Sequence, residues 1–263
     1  MTVNKQEAMD SFGRLLEIME ELRAKCPWDK EQTLESLRTL TIEETYELAD
    51  SIVDNDLDGI REELGDLMLH LVFYAKIGQE MERFTITEVL DGINKKLVYR
   101  HPHIFGEVKV SDAREVERNW EKLKLSENQN KTVLGGIPSS LPAMIKAYRI
   151  QDKARGVGFD WEHRDQVWDK VAEEISELQA EIRNEASQER IEAEFGDVLF
   201  SLINAARLFG VNPENALEKT NLKFIRRFNY LEQKSKNSGK SFRKMSLEEM
   251  DRYWEEAKNL EQD

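Results

Sequence analysis

Glu43-Glu44-Thr45-Tyr46-Glu47 is followed, after a short gap, by Glu62-Glu63-Leu64-Gly65-Asp66. The pattern returns later as Glu173-Glu174-Ile175-Ser176-Glu177 and Glu192-Ala193-Glu194-Phe195-Gly196-Asp197. Residues three and four apart share one face of a helix. On that spacing Glu44 falls inside the apolar row Leu37, Thr41, Leu48, Ile52. Glu174 falls inside Val167, Val171, Leu178, Ile182, and Glu194 inside Ile191, Val198, Leu202, Ala205. Glu63 is flanked by Ile60 and Leu67. Glu47, Glu177, Asp66 and Asp197 each stand three residues further on. A carboxylate on a core-facing stripe is costly unless it is paired or metal-bound. Several together repel and raise one another's pKa. A hard divalent cation with oxygen preference removes both problems. Each copy therefore reads as a Mg²⁺ site for a nucleotide phosphate tail, with Mn²⁺ as the alternative ion. Since one Mg²⁺ takes one or two protein carboxylates, four per copy suggest two or more ions. The competing reading is a solvated acidic helix face, which suits a single E-x-x-E better than a duplicated one.

The rest of the chain is helical around these motifs. Its 263 residues suggest about two domains. Only five prolines are present, and no alternating strand pattern stands out, so the expected class is all-α. Helices are expected over 5–24, 33–53, 57–80, 86–99 and 112–125. In the second half they are expected up to 154 and over 163–186, 188–209 and 213–236, with a last one after the capping-box sequence Ser246-Leu247-Glu248-Glu249. Cys26-Pro27-Trp28-Asp29 and His101-Pro102-His103 read as breaks. Gly65 and Gly196, each just before an Asp, suggest a close helix or ligand approach.

The halves match beyond the acidic residues. Trp28-Asp29 aligns with Phe159-Asp160, and Arg118-Asn119-Trp120-Glu121 with Arg252-Tyr253-Trp254-Glu255. The polar stretch 126–137, ending in Gly-Gly-Ile, reads as a linker. The expected organisation is a tandem duplication: domain 1–125, linker 126–137 and domain 138–263, each a small four-helix-bundle-like unit.

Charge and composition exclude several classes. Charged residues are 34% and hydrophobic ones 40%, as in a soluble globular protein. No apolar run is long enough to span a bilayer, and no signal-peptide pattern opens the chain. Cys26 is the only cysteine, which fits a reducing, cytoplasmic setting without intrachain disulfides. A net charge of −14 argues against a nucleic-acid backbone as partner. No Glu has a His three residues later, as a di-iron bundle needs. No His pair has zinc spacing on a helix, and no G-x-x-x-x-G-K-[ST] loop occurs.

A basic cluster follows each acidic motif by one helix: Asn94, Lys95, Lys96, Arg100, then Asn221, Lys223, Arg226, Arg227. Beside metal-held carboxylates such cations clamp phosphate. Water activated by the ion or by a carboxylate then serves as nucleophile. Trp28, Trp120, Trp161 and Trp254 offer stacking faces for a base, although Trp28 and Trp161 read better as core residues.

Together, Cys26-Pro27-Trp28-Asp29-Lys30-Glu31-Gln32-Thr33, Thr41-Ile42-Glu43-Glu44-Thr45-Tyr46-Glu47, Gly65-Asp66-Leu67, Arg100-His101-Pro102-His103-Ile104-Phe105 and Val157-Gly158-Phe159-Asp160-Trp161 resemble the tandem-domain MazG nucleoside triphosphate pyrophosphohydrolases. The resemblance implies the all-α NTP pyrophosphatase fold, usually as a homodimer. It implies Mg²⁺-dependent cleavage of NTPs and dNTPs between the α and β phosphates, yielding the monophosphate and pyrophosphate. Nucleotide-pool cleansing and (p)ppGpp-related stress control would be the biological setting. Carried over by position, the metal ligands are Glu44, Glu47, Glu63, Asp66, Glu174, Glu177, Glu194 and Asp197, the last four also catalytic. The nucleotide contacts are Lys170, Glu173, Glu174, Arg190, Asp197, Asn221, Lys223, Arg226, Arg227 and Trp254. Arg226 is matched by Tyr99, and Arg190 by Gly59, so the first site is less basic. The C-terminal site is expected to be the main hydrolase. Two other classes remain open on the residues alone: a helical protein-interaction module and a nucleotide sensor without turnover.

Overall fold

A computed structural model describes residues 4–112, 115–116, 119–120, 123 and 132–260. These residues carry helices and turns and no strand. The chain divides into two compact units, Met1–Val116 and Glu117–Asp263.

In the first unit, helix α1 (Lys5–Lys25) starts at Asn4, whose side chain accepts from the Gln6 N–H. A short helix α2 (Pro27–Glu31) follows where the sequence suggested only a break. Proline at the first helical position gives up no needed donor, so it starts a turn of helix instead of ending one. Helix α3 (Leu34–Val53) opens with a capping box between Thr33 and Ser36. Asp54 to Asp56 turn the chain, with Asn55 in the left-handed region at φ 55. Helix α4 (Leu57–Glu80), capped by Asp56, then packs back along α3. Helix α1 lies against α4. Met19, Leu37, Val72, Phe73 and Ile77 form the buried core of these three helices. Helix α5 (Ile86–Arg100) begins at the Thr85–Glu88 capping box, and α6 (Pro102–Phe105) follows His101.

The second unit repeats the plan. Helix α7 is Ala143–Gly156, and a 3₁₀ turn, Arg164–Gln166, leads into α8 (Val167–Arg183). Helix α9 is Gln188–Leu208, α10 is Pro213–Ser238 and α11 is Leu247–Leu260. The α8–α9 pair corresponds to α3–α4, and α7 packs on α9 as α1 does on α4. Val167, Val171 and Ala205 form the buried centre, with Leu208 against them. Gly239, at φ 67, takes the left-handed position that ends α10.

The helix expected over 163–186 is shorter at both ends. His163 to Gln166 form the 3₁₀ turn and its cap, and Asn184-Glu185 make a turn with Glu185 at φ 51. The helix expected over 112–125 and the linker segment 126–131 lie largely or wholly outside the described residues, as do Arg118 and Glu121 of the aligned motif.

Candidate metal and nucleotide site

In each unit the acidic motifs occupy two neighbouring helices, α3 with α4 and α8 with α9. The hairpin brings three carboxylates of each motif together. Ligand oxygens of Glu44, Glu63 and Asp66 all lie within 4.8 Å of one another, and so do those of Glu174, Glu194 and Asp197. Glu47 and Glu177 stand outside these triads, exposed to solvent, though close enough to act electrostatically on Glu63 and Glu194. The stripes behave as their phase predicts over most of their length. Leu37, Val167, Val171 and Leu178 are buried, and Glu174 is 8% exposed among them. Each stripe ends in the open at Ile52 and Ile182.

The electrostatics are those of crowded anions. Burial, then the charges of Glu47 and Glu44, pushes the Glu63 carboxyl above the usual carboxylate range. Glu44 is raised by burial and by Asp66 and Glu47, and Glu194 by burial and by Glu177 and Asp197. Glu63 Oε2 is buried with no hydrogen-bond partner among the described residues. An orphaned carboxylate oxygen within a set of hard oxygen donors fits a divalent cation, Mg²⁺ or Mn²⁺.

The two triads differ in their cations. The Lys170 ammonium sits 2.8 Å from Glu174 and 3.1 Å from Glu173, and its hydrogen bonds to Glu174 and then Glu173 raise its pKa. Counting from the Glu43/Glu173 pair, the first half has Leu40 at this place. Arg190 reaches back to Glu181, whose charge also acts on Glu194. The cations of α10 are placed differently. Asn221 donates to Glu218, and the Arg227 guanidinium lies over the Trp254 ring, 5.8 Å from its centroid. Trp254 also meets Phe224, with centroids 5.1 Å apart. Lys223 and Arg226 share α10 with them. None of these five residues lines the cavity that opens at the carboxylates of the second unit. That cavity holds about 670 Å³ and is bordered at one end by Lys170, Glu174 and Asp197.

Two expectations are corrected here. Trp28 is 56% exposed and Trp161 38%, so neither is a core residue. Trp28 sits on the one-turn helix α2 and Trp161 in the loop before the 3₁₀ turn, where little chain is available to cover an indole. A Cβ added at Gly65 or Gly196 meets nothing within 4 Å, so neither glycine serves a close helix approach among the described residues. Sequence reasoning did not single out Gln151, Asn204 or Arg207, which line the cavity. Arg207 is buried in a fork on Asp160, and only the repeated Asp29/Asp160 motif pointed to that place.

A family model described as the MazG nucleotide pyrophosphohydrolase domain matches residues 32–105 and again 164–231. A nucleoside triphosphate pyrophosphohydrolase of Escherichia coli strain K12 is 42% identical over 262 residues, covering 97% of this chain and 100% of that protein. A Thermotoga maritima protein named nucleoside triphosphate pyrophosphohydrolase/pyrophosphatase MazG is 41% identical over 258 residues, 96% of this chain and 98% of its own. The crystal structure of a mazG-related protein from Thermotoga maritima, 32% identical, aligns with 43% of this chain and 97% of that one at a TM-score of 0.39.

Proposed function

Because this chain belongs to the MazG nucleotide pyrophosphohydrolase family, matched twice along its length, we propose that it is a nucleoside triphosphate pyrophosphohydrolase acting on NTPs and dNTPs. Water attacks the α phosphorus, the α–β anhydride bond breaks, and the nucleoside monophosphate and pyrophosphate leave. The observation that carries the reading is the paired triad: Glu44, Glu63, Asp66 and Glu174, Glu194, Asp197, each a cluster of mutually close carboxylate oxygens.

The triads hold divalent cations, with Mg²⁺ the first choice and Mn²⁺ its substitute. Such an ion, when bound, neutralises phosphate charge and favours the attacking hydroxide. The chain's own groups do the rest. Lys170 balances Glu174 at the mouth of the cavity. In this reading Glu177, exposed and acting electrostatically on Glu194, accepts a proton from water. Arg190, Asn221, Lys223, Arg226, Arg227 and Trp254 complete the nucleotide contacts, with Glu173 holding Lys170.

The working form is a homodimer. Leu90, Ile93 and Leu97 make an exposed apolar row on α5, each 41–42% exposed, and such rows mark association surfaces. No described helix is long and apolar enough to cross a membrane, which suits a cytoplasmic enzyme of nucleotide-pool cleansing and stress control. The test is incubation with mixed NTPs and dNTPs, with and without Mg²⁺, followed by ³¹P identification of products. Monophosphate plus pyrophosphate only with the ion is the expected result. Nucleoside diphosphate plus orthophosphate, or no turnover, overturns it.

A further inference from the structure

Among the described residues, three buried side-chain polar atoms have no hydrogen-bond partner: Glu63 Oε2, His70 Nδ1 and Gln151 Oε1. Gln151 lines the cavity of the second unit, where its Nε2 donates to the Phe200 carbonyl oxygen. The other two atoms belong to α4 of the first unit. Glu63, Asp66 and His70 follow one another at i, i+3 and i+7, so they share one face of that helix. His70 is 7% exposed. A buried nitrogen without a partner is costly, because its desolvation is uncompensated. Burial pushes the imidazole below its ordinary range, and the Asp66 charge acts on it in the opposite sense, so the two side chains are within electrostatic reach. Two orphaned polar atoms thus flank Asp66 on the carboxylate-bearing face of α4.

We propose that His70 is an additional, nitrogen ligand of the first cluster, and that this cluster selects a divalent first-row transition ion over Mg²⁺. The proposal rests on the reading that both triads hold divalent ions and refines it for one of them. Asp66 and His70 have the i, i+4 spacing at which two side chains on one helix face grip a single ion. The imidazole lies outside the set of oxygens that approach within 4.8 Å of one another. It reaches the ion by side-chain rotation from one turn further along α4. Carboxylates alone suit Mg²⁺ and Mn²⁺ alike, whereas an imidazole favours the transition ion.

The second cluster has a different donor set. Aligned on Asp29/Asp160 and Asp66/Asp197, which share one offset, His70 stands opposite Ser201, Arg23 opposite Ala154 and Phe73 opposite Asn204. The Ser201 hydroxyl donates to the Val198 carbonyl at 2.9 Å, and it brings no nitrogen. Lys170 sits on Glu174, where the first half has Leu40. Phe73 is 2% exposed, and the Arg23 guanidinium lies 5.5 Å over its ring. These two fill the space that corresponds to the second unit's cavity. The first cluster therefore combines oxygen with nitrogen, and the second combines oxygen with a built-in ammonium.

The test uses the full-length chain carrying Glu174→Ala and Asp197→Ala, so that bound ion reports on the first cluster, with and without His70→Ser. Mn²⁺ is added, and pulsed EPR is read for nitrogen coupling in unlabelled and ¹⁵N-histidine protein. Coupling that changes with the label and vanishes in His70→Ser is the expected result. In calorimetry His70→Ser should weaken Mn²⁺ and Co²⁺ binding about tenfold or more, as when a residue supporting a metal site is lost, with Mg²⁺ binding within about twofold. The EPR reading on protein that keeps His70 does not depend on how the variant folds. No histidine coupling there, coupling that survives His70→Ser, or transition-ion and Mg²⁺ affinities that change equally or not at all, overturn the proposal. If protein that keeps His70 binds none of the three ions, the metal reading of the first cluster has failed, and the nitrogen ligand falls with it.

Discussion

Lys170 and Leu40 show how one side chain separates two otherwise similar acidic clusters. In the second triad the Lys170 ammonium lies 2.8 Å from the buried Glu174 and pairs with its carboxylate. The first triad has a leucine there; Glu44 and Glu63 are both pushed up, as Glu194 is in the second. The sign of the consequence is definite. A carboxyl whose folded pKa lies above its ordinary 4.5 adds stability below that value, and this is lost as pH rises through the folded pKa. Metal-free protein in a chelator should thus melt higher as pH is lowered from 7 toward 5. Glu63→Gln should flatten that rise, and added Mg²⁺ should raise the melting temperature more at pH 7 than at pH 5. A pH-independent difference between wild type and variant would contradict it. The identity of the acidic residues was legible in the sequence because their spacing put them on apolar stripes. The orphaned Oε1 of Gln151 was not, since nothing in a sequence records which amide atom faces a carbonyl.

Among elements, helix starts were the most readable feature. Thr33, Asp56, Thr85 and Asn212 all cap through their own side chains, as short-range chemistry dictates. Thr33→Ala should cost about 1 kcal/mol of unfolding free energy, checked by denaturant titration, because the Ser36 N–H loses its acceptor at the start of the helix that carries Glu44. The ends of α8 were misjudged because the 3₁₀ turn and the Glu185 turn carry ordinary helix-forming residues. Helix α5 poses a different problem. Its capping and period are regular, yet Leu90, Ile93 and Leu97 remain in the open. Ile93→Glu should reduce the solution mass from twice 30.7 kDa to the single-chain value in light scattering. An unchanged dimer would place the interface on another face.

On the scale of the whole molecule, duplication produced two carboxylate clusters, and a cavity opens beside the second of them. Glu174→Ala should abolish most pyrophosphate release from NTPs, by about a hundredfold or more as for loss of a catalytic electrostatic partner. Glu44→Ala should leave most of it. Equal losses in the two variants would mean that both clusters serve the same turnover. By itself the sequence determined the helical class, the internal repeat and the carboxylates on core-facing stripes, since periodicity, caps and spacing are local and survive without knowledge of neighbours. Only the tertiary structure decided which three of four carboxylates meet, that Trp28 and Trp161 stay exposed, and that Ala154 and Asn204 leave room where Arg23 and Phe73 fill it. Those outcomes depend on which side chains pack across helices distant in the chain, and a cavity is a property of that packing.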